Sequence, residues 1–169
     1  DCSREVLAIE VDTSLSSRRV IRTLDRIIEQ RGKPVSIRTD NGPEFTSKDL
    51  ELWSLDKGIN LQFIQPGKPM QNGYIERFNR LYREAILDAY LFFDLNEVRV
   101  LTKQWIEEYN TKRPHESLGN KTPYEWKMNL IKNDYVIKHC TPELLENNTI
   151  KWHNILAIRR AFNCCQKIN

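Results

Sequence analysis

The sequence has few cysteines and no long apolar run. Its four cysteines, which include the adjacent pair Cys164 and Cys165, do not make a disulfide framework in a chain of 169 residues. No apolar stretch approaches the roughly 20 residues that span a bilayer, and the first residues lack the pattern of a secretory signal. We therefore expect reduced thiols, a cytoplasmic location and no membrane contact.

The sequence also has little excess charge of either sign. Lysine and arginine total 26 and aspartate and glutamate total 23, which gives a net charge of +3. So small an excess neither argues for a nucleic-acid partner nor excludes one. The length suits one domain with its own core, so motifs must carry the functional argument.

The apolar pattern over the first 64 residues predicts alternating strands and helices. Short aliphatic runs indicate strands, and helical spacing between a serine or threonine and a glycine indicates helices. This order predicts an α/β domain in which the last two of these strands pair in parallel. The predicted elements are a strand at 5–12, a helix from Ser16 or Ser17 to Gly32, a strand at 35–39, a helix from Thr46 or Ser47 to Lys57 and a strand at 61–64.

The second half of the chain is predicted to be helical. Two glycines and two prolines indicate a loop over 65–73, and a long amphipathic helix is expected over 74–93. A further helix is predicted at Asn96–Tyr109, and Pro123–Trp126 has the composition of a short helix start.

Two acidic residues stand where a ligand site is expected in a parallel sheet. Asp40 directly follows the strand at 35–39, and Glu76 lies in the first turn of the helix at 74–93. Strand ends and the loops beyond them form the crevice in which such sheets bind ligands, so the two carboxylates could meet there around a hard cation such as Mg²⁺. Spacing alone leaves the alternative open that Asp40 is a turn residue and Glu76 a charge that complements the helix dipole.

Four segments occur in a fixed order that resembles a known family. They are SREVLAIEVDTSLSSRRV (3–20), IRTDNGPEF (37–45), FIQPGKPMQNGYIERFN (63–79) and YNTKRPHESLGNKTPYEW (109–126). Together they resemble the catalytic core of orfB-type insertion-sequence transposases, relatives of retroviral integrases with a ribonuclease H-like α/β fold. The 35 residues of segment 41–75 separate Asp40 from Glu76, which is the spacing for which the family's Asp, Asp, Glu signature is named.

The resemblance implies a partial integrase core over 1–126 and a divergent C-terminal tail over 127–169. By the same resemblance Asp40 is the second metal-binding aspartate and Glu76 the third acid, and both would hold Mg²⁺ or Mn²⁺. The implied reaction is phosphoryl transfer on DNA. Water attacks a phosphodiester at the end of the element, and the freed 3′-hydroxyl then attacks target DNA.

Polar residues around Glu76 are candidates for DNA binding, because amides and cations contact phosphates and bases. They are Lys68, Asn72, Arg80 and Arg83. Equally, they could be solvated charges or, for Asn72, a helix cap. Another phosphate contact could come from Lys112, Arg113 and His115, although Glu107, Glu108 and Glu116 weaken that case.

One part of the family pattern has no match in the chain. The family's first catalytic aspartate lies on a strand that precedes the matched segments. Asp1 matches an acid that is not a ligand, and Asp12 is no obvious replacement. We therefore expect a core that lacks its first two strands and is inactive, since the carboxylate that bridges both cations is missing.

Two alternatives without chemistry stay open. One is a DNA-binding or transposase-interacting remnant, and the other is a remnant reading frame with no selected role. Besides DNA, the expected partners are a second copy of the chain or an intact transposase.

Overall fold

The chain combines a small parallel sheet with α-helices. The structure is a computed structural model, and it describes residues 3–65, 73–137 and 151–152. A π-helical turn, Arg83–Leu87, extends the third helix, and a 3₁₀ turn, Glu116–Leu118, follows the fourth. The elements are α1 (Ser17–Arg31), β1 (Ser36–Thr39), α2 (Lys48–Lys57), β2 (Asn60–Phe63), α3 (Gly73–Tyr82), α4 (Leu95–Lys112), α5 (Pro123–Ile137) and β3 (Lys151–Trp152).

The first two helices begin and end at the residues that the sequence indicates. Ser47 caps α2, since its side chain accepts a hydrogen bond from the Leu50 N–H, and Gly58 ends α2 in the left-handed conformation at φ +62°. Ser16 stands at the corresponding position of α1 without such a bond, and Gly32 follows α1 at φ +87°. Both helices confirm the prediction.

The sheet has the order β2-β1-β3, and both pairings are parallel. Thr39 at the end of β1 is opposite Phe63 at the end of β2, so the two strands finish side by side. The parallel pairing of these strands confirms the prediction. On its other edge β1 pairs through Ser36 and Ile37 with the two residues of β3.

The predicted strand at 5–12 is wrong in its hydrogen bonding. These residues belong to no strand, although Val6, Ile9 and Val11 are buried. A side chain of α4 takes the place of a neighbouring strand: Asn110 accepts from the Val6 N–H and donates to the Val6 carbonyl, both at 2.9 Å. The short aliphatic run therefore indicated burial correctly but not the hydrogen-bonding partner.

Two apolar clusters form the core, and the segment 5–12 contributes to both. The first cluster joins Val6, Ile9 and Val11 to α3, its π-helical turn and α4. The second cluster is built from α1, β1, α2 and neighbouring residues, with Leu7 and Ala8 packed against it. The segment is therefore central to the packing without being a strand.

The helix expected over 74–93 is shorter than predicted. It starts at Gly73, changes to π-helical geometry at Arg83 and ends at Leu87, and Asp94 then caps α4 through the N–H groups of Asn96 and Glu97. The helix at Asn96–Tyr109 is confirmed within α4. In the part of the chain that the structure describes, no helix has the length and apolar composition needed to cross a bilayer.

The short helix start at Pro123 is confirmed as the first turn of α5. The division of the chain at residue 126 stays a prediction, and α5 runs across that position.

Candidate active site

Asp40 lies at the carboxyl end of β1, where its carboxylate is exposed. One of its oxygens, Oδ1, accepts a hydrogen bond from the Gly42 N–H at 3.0 Å, which orients the carboxylate. The Gly42 carbonyl in turn accepts from the N–H groups of Phe45 and Thr46, so the DNGPEF segment is a closed turn. A Cβ on Gly42 would lie 3.0 Å from the Glu44 carboxylate, so a side chain there would require this carboxylate to shift.

The turn after β1 is tied to the end of β2. The Asn41 amide donates to the Ile64 carbonyl at 3.0 Å, and the Ile64 N–H donates to the Thr39 carbonyl at 3.1 Å. The chain leaves β2 at this point and next enters α3. The fold therefore sets Asp40 beside the start of the connection that leads to Glu76.

Glu76 lies in the first turn of α3 and is also exposed. Its negative charge complements the positive end of the helix, as the alternative interpretation requires. That role does not conflict with ligand binding, because an exposed carboxylate can serve both. The neighbouring Phe78 and Tyr82 are buried and fix the face of α3 that packs on the core.

The residues that the structure describes fit a divalent cation in chemical type but do not complete a site. Two exposed carboxylates are the hard oxygen donors that Mg²⁺ prefers. Within residues 3–65, 73–137 and 151–152, however, no group of three or more aspartate, glutamate, histidine or cysteine side chains could hold a metal ion. Asp12 is engaged elsewhere, since it pairs with Arg19 and accepts from the Thr13 N–H.

The predicted DNA-binding residues fall into three groups. Arg80 is exposed on α3 and lines a cleft between α3 and the loop after α4. Arg83 is in the π-helical turn and forms an ion pair with Asp88 at 3.4 Å. Lys68 and Asn72 lie outside the described residues.

Sequence reasoning missed two arginines of the same cleft, Arg4 and Arg77. Arg77 precedes Arg80 by three residues, a helical spacing that could have indicated a shared face. Arg4 had no such signal, because it reaches the cleft through a contact with Ser117, 113 residues away. Arg113 and His115 also line the cleft, whereas Lys112 forms an ion pair with Glu108 at 2.9 Å.

Two family models, each described as "Integrase core domain", match this chain over residues 1–69 and 57–123. The uncharacterized 31.7 kDa protein of insertion element IS407 from Burkholderia multivorans is 42% identical over 126 residues, or 75% of this chain. The chain belongs to the integrase core family. The predicted resemblance to insertion-element proteins is thereby confirmed. The chain spans 46% of the length of the Burkholderia protein.

Solved integrase cores have the same fold. The catalytic core domain of BIV integrase matches with a TM-score of 0.56 and 26% identity, covering 75% of this chain and 80% of that one. The HTLV-2 integrase catalytic core domain in complex with magnesium, in a trimeric form, matches with a TM-score of 0.50 and 22% identity over 66% of this chain and 70% of that one. These likenesses confirm the predicted ribonuclease H-like α/β class.

Proposed function

We propose that this integrase core acts in DNA transposition and supplies Asp40 and Glu76 to a metal-dependent phosphoryl-transfer site. The observation that carries the proposal is the placement of Asp40. Its exposed carboxylate stands at the carboxyl end of β1, and the same turn is bonded to the end of β2, from which the chain continues to Glu76. Ligands of parallel α/β sheets bind at this edge.

Each of the two acids has a distinct part in holding the cation. The Gly42 N–H already bonds one oxygen of Asp40, so this carboxylate loses little rotamer freedom when an ion binds. Glu76 adds a second charged oxygen donor from α3. A bound Mg²⁺ or Mn²⁺ would activate the attacking oxygen and neutralise charge on the leaving oxygen. Mg²⁺ is the first ion to test, since the HTLV-2 core carries it.

Metal binding tests the site directly. We expect Mn²⁺ titrated into the 169-residue chain and followed by electron paramagnetic resonance to bind at least tenfold more weakly in Asp40→Asn and in Glu76→Gln. The matched controls are Asp49→Asn and Glu51→Gln, two exposed acids in the first turn of α2, which should leave the affinity unchanged. Unchanged Mn²⁺ affinity in both site variants would overturn the proposal.

The expectation that these 169 residues alone transfer no DNA strand stays a prediction. A strand-transfer assay on an oligonucleotide with Mg²⁺ or Mn²⁺ tests it. Transfer that disappears in Asp40→Asn would show that the expectation of inactivity is wrong and that the chain is a complete enzyme. No affinity for DNA at low salt would remove the non-catalytic DNA-binding alternative.

The expected assembly is also a proposal. Integrase cores are found in assemblies, as in the trimeric form of the HTLV-2 core, so a second copy or an intact transposase is the partner to seek beside DNA. Light scattering of the chain with and without DNA would measure the assembly. A cytoplasmic location stays a prediction.

A further inference from the structure

A cleft of about 580 Å³ lies between α3 and the loop that follows α4, and arginines dominate its walls. Arg77 and Arg80 come from α3, Arg113 from the loop, and Arg4 from the segment before α1. Two acidic residues, Glu84 and Glu116, also line it. Four fixed positive charges against two negative ones give the cleft a net positive charge.

The arginines of the cleft are not neutralised by ion pairs within the part of the chain that the structure describes. None of the four has a carboxylate oxygen within 4.0 Å of its guanidinium there, and Arg113 instead stands 5.9 Å from the Tyr109 ring centroid. Two arginines of α1 differ, since Arg19 pairs with Glu10 and Arg31 with Glu5. The positive charge of the cleft is therefore available to an anion.

Arg4 is held in place before any ligand arrives. Its guanidinium lies 3.7 Å from the centroid of the Tyr74 ring, and its Nε donates to the Ser117 hydroxyl at 3.2 Å. Its backbone has a positive φ of 54°, an uncommon conformation for arginine. Such local backbone strain persists where the surrounding structure fixes it, and it clusters at binding sites.

His115 gives a second sign of an anion site. Its Nε2 is buried and has no hydrogen-bond partner in the described part of the chain. Burial, together with the charges of Arg113 and Arg4, holds the pKa of His115 below its ordinary value. An anion in the cleft would supply the missing partner and offset the two positive charges.

We infer that this cleft binds the phosphodiester backbone of a DNA strand, with Arg4, Arg77, Arg80 and Arg113 on the phosphates. The choice of DNA over other phosphate compounds rests on the proposed function. Two observations favour it. Tyr74 is 60% exposed beside Arg4, so a base could stack there, and Arg80 lies one helical turn after Glu76, so a bound strand would continue toward the candidate active site.

Fluorescence anisotropy with a labelled single-stranded oligonucleotide, in EDTA, tests this cleft without the metal. We expect the double variant Arg77→Gln/Arg113→Gln to bind about tenfold more weakly and its salt slope to fall by about 1.4, the value for two lost phosphate contacts. The control Arg22→Gln/Lys103→Gln removes the same charge from exposed positions of α1 and α4 outside the cleft, and it should change the affinity less than twofold. All four positions are exposed, and circular dichroism would check that each variant folds.

Further variants separate the failure of this inference from that of the proposed function. The Mn²⁺ titration of Asp40→Asn tests the proposed function, whereas the oligonucleotide titration in EDTA tests the cleft, which does not include Asp40. Tyr74→Ala should weaken single-stranded binding more than duplex binding. The inference is overturned if the cleft variant and the control lose the same affinity, whatever the Mn²⁺ titration shows. Equal loss of affinity for inorganic phosphate and for the oligonucleotide would instead identify a simple anion site and overturn the assignment to DNA.

Discussion

The pKa of one residue, His115, responds to the positive charge of the cleft. Its imidazole contacts the Tyr109 ring at a centroid distance of 5.1 Å, and its backbone N–H donates to the Lys121 carbonyl at 3.0 Å. Burial and the positive charges of Arg113 and Arg4 lower the pKa of His115. The other charged residues that line the cleft are Glu84, Glu116, Arg77 and Arg80. Proton uptake by His115 is therefore disfavoured in the folded chain.

This depressed pKa makes the stability of the chain depend on pH. Unfolded His115 takes up a proton near pH 6.5, about its ordinary pKa, whereas the folded residue does so only at lower pH. We expect the free energy of unfolding to fall as the pH drops from 6.5 through the folded pKa, and to be fully present above 6.5. Urea unfolding across this window measures the effect.

His115→Gln is the control for that pH dependence. It should flatten the decline in unfolding free energy, because no proton is then taken up at position 115 on unfolding. The chain has three histidines, so His115 is the only one left in the double variant His139→Gln/His153→Gln. Nuclear magnetic resonance of this variant would give the pKa of His115 directly. A value at or above the ordinary one would contradict the account.

Residues of the candidate site differ in how well the sequence reveals them. Asp40 and Glu76 stand next to turn and helix-start signals, so local chemistry marks them as candidates, and the family resemblance gives them their expected role. Arg4 is different, because its role depends on Tyr74 and Ser117, which only the folded chain brings together. Non-local contacts of this kind leave no pattern in a single sequence.

Among the elements, the segment 5–12 is held by side chains instead of a strand. The Asn110 amide bonds both backbone groups of Val6, and Arg99 donates to the Val11 carbonyl at 3.3 Å. Helix α4 thereby satisfies backbone groups that a neighbouring strand would otherwise satisfy. The sequence could not reveal that side chains replace a neighbouring strand, because a short aliphatic run looks the same in both cases.

Loss of the Asn110 amide should destabilise the fold markedly. In Asn110→Ala both partly buried backbone groups of Val6 lose their partner, and each unsatisfied group costs about 1–3 kcal/mol. We expect the free energy of unfolding to fall by about 2–4 kcal/mol. Chemical denaturation measures the change. Gln104→Ala, at an exposed position of the same helix, should cost less than about 0.5 kcal/mol, and equal losses in the two variants would refute the role of Asn110.

Element boundaries were predictable where a cap or a glycine sets them, as Ser47 and Gly58 do for α2. The end of α3 was not predictable in this way, and the π-helical turn that begins at Arg83 contacts α4. Tyr82, just before that change, is buried and bonds Thr102 of α4 at 2.6 Å. Tertiary contacts of this kind override a helical pattern in the sequence.

At the scale of the whole molecule, the two core clusters share one segment. Val6, Ile9 and Val11 belong to the first cluster, and Leu7 and Ala8 pack on the second. Neither cluster can lose its contacts with 5–12 without disturbing the other. The described chain should therefore unfold as one cooperative unit.

Tryptophan fluorescence can test this cooperativity, because each cluster contains its own tryptophan. Trp53 is in the second cluster and Trp105 packs against the first. In single-tryptophan variants that keep one of them, we expect urea transitions by fluorescence and by far-ultraviolet circular dichroism to coincide. Ile9→Ala should lower the midpoint of both variants through a loss of about 2–5 kcal/mol. Separate transitions for the two reporters would disprove a single unit.

The bond from the Asn41 amide to the Ile64 carbonyl affects how mutational scans of this chain should be interpreted. Asn41 has no acidic group to offer a cation, yet its loss would free the turn that orients Asp40. A screen that scores only transposition by a complete transposase with this core would then rank Asn41 with the acids themselves. Substitutions of Asn41 would therefore look like losses of a catalytic acid, although they remove only the hydrogen bond that joins the turn after β1 to the end of β2.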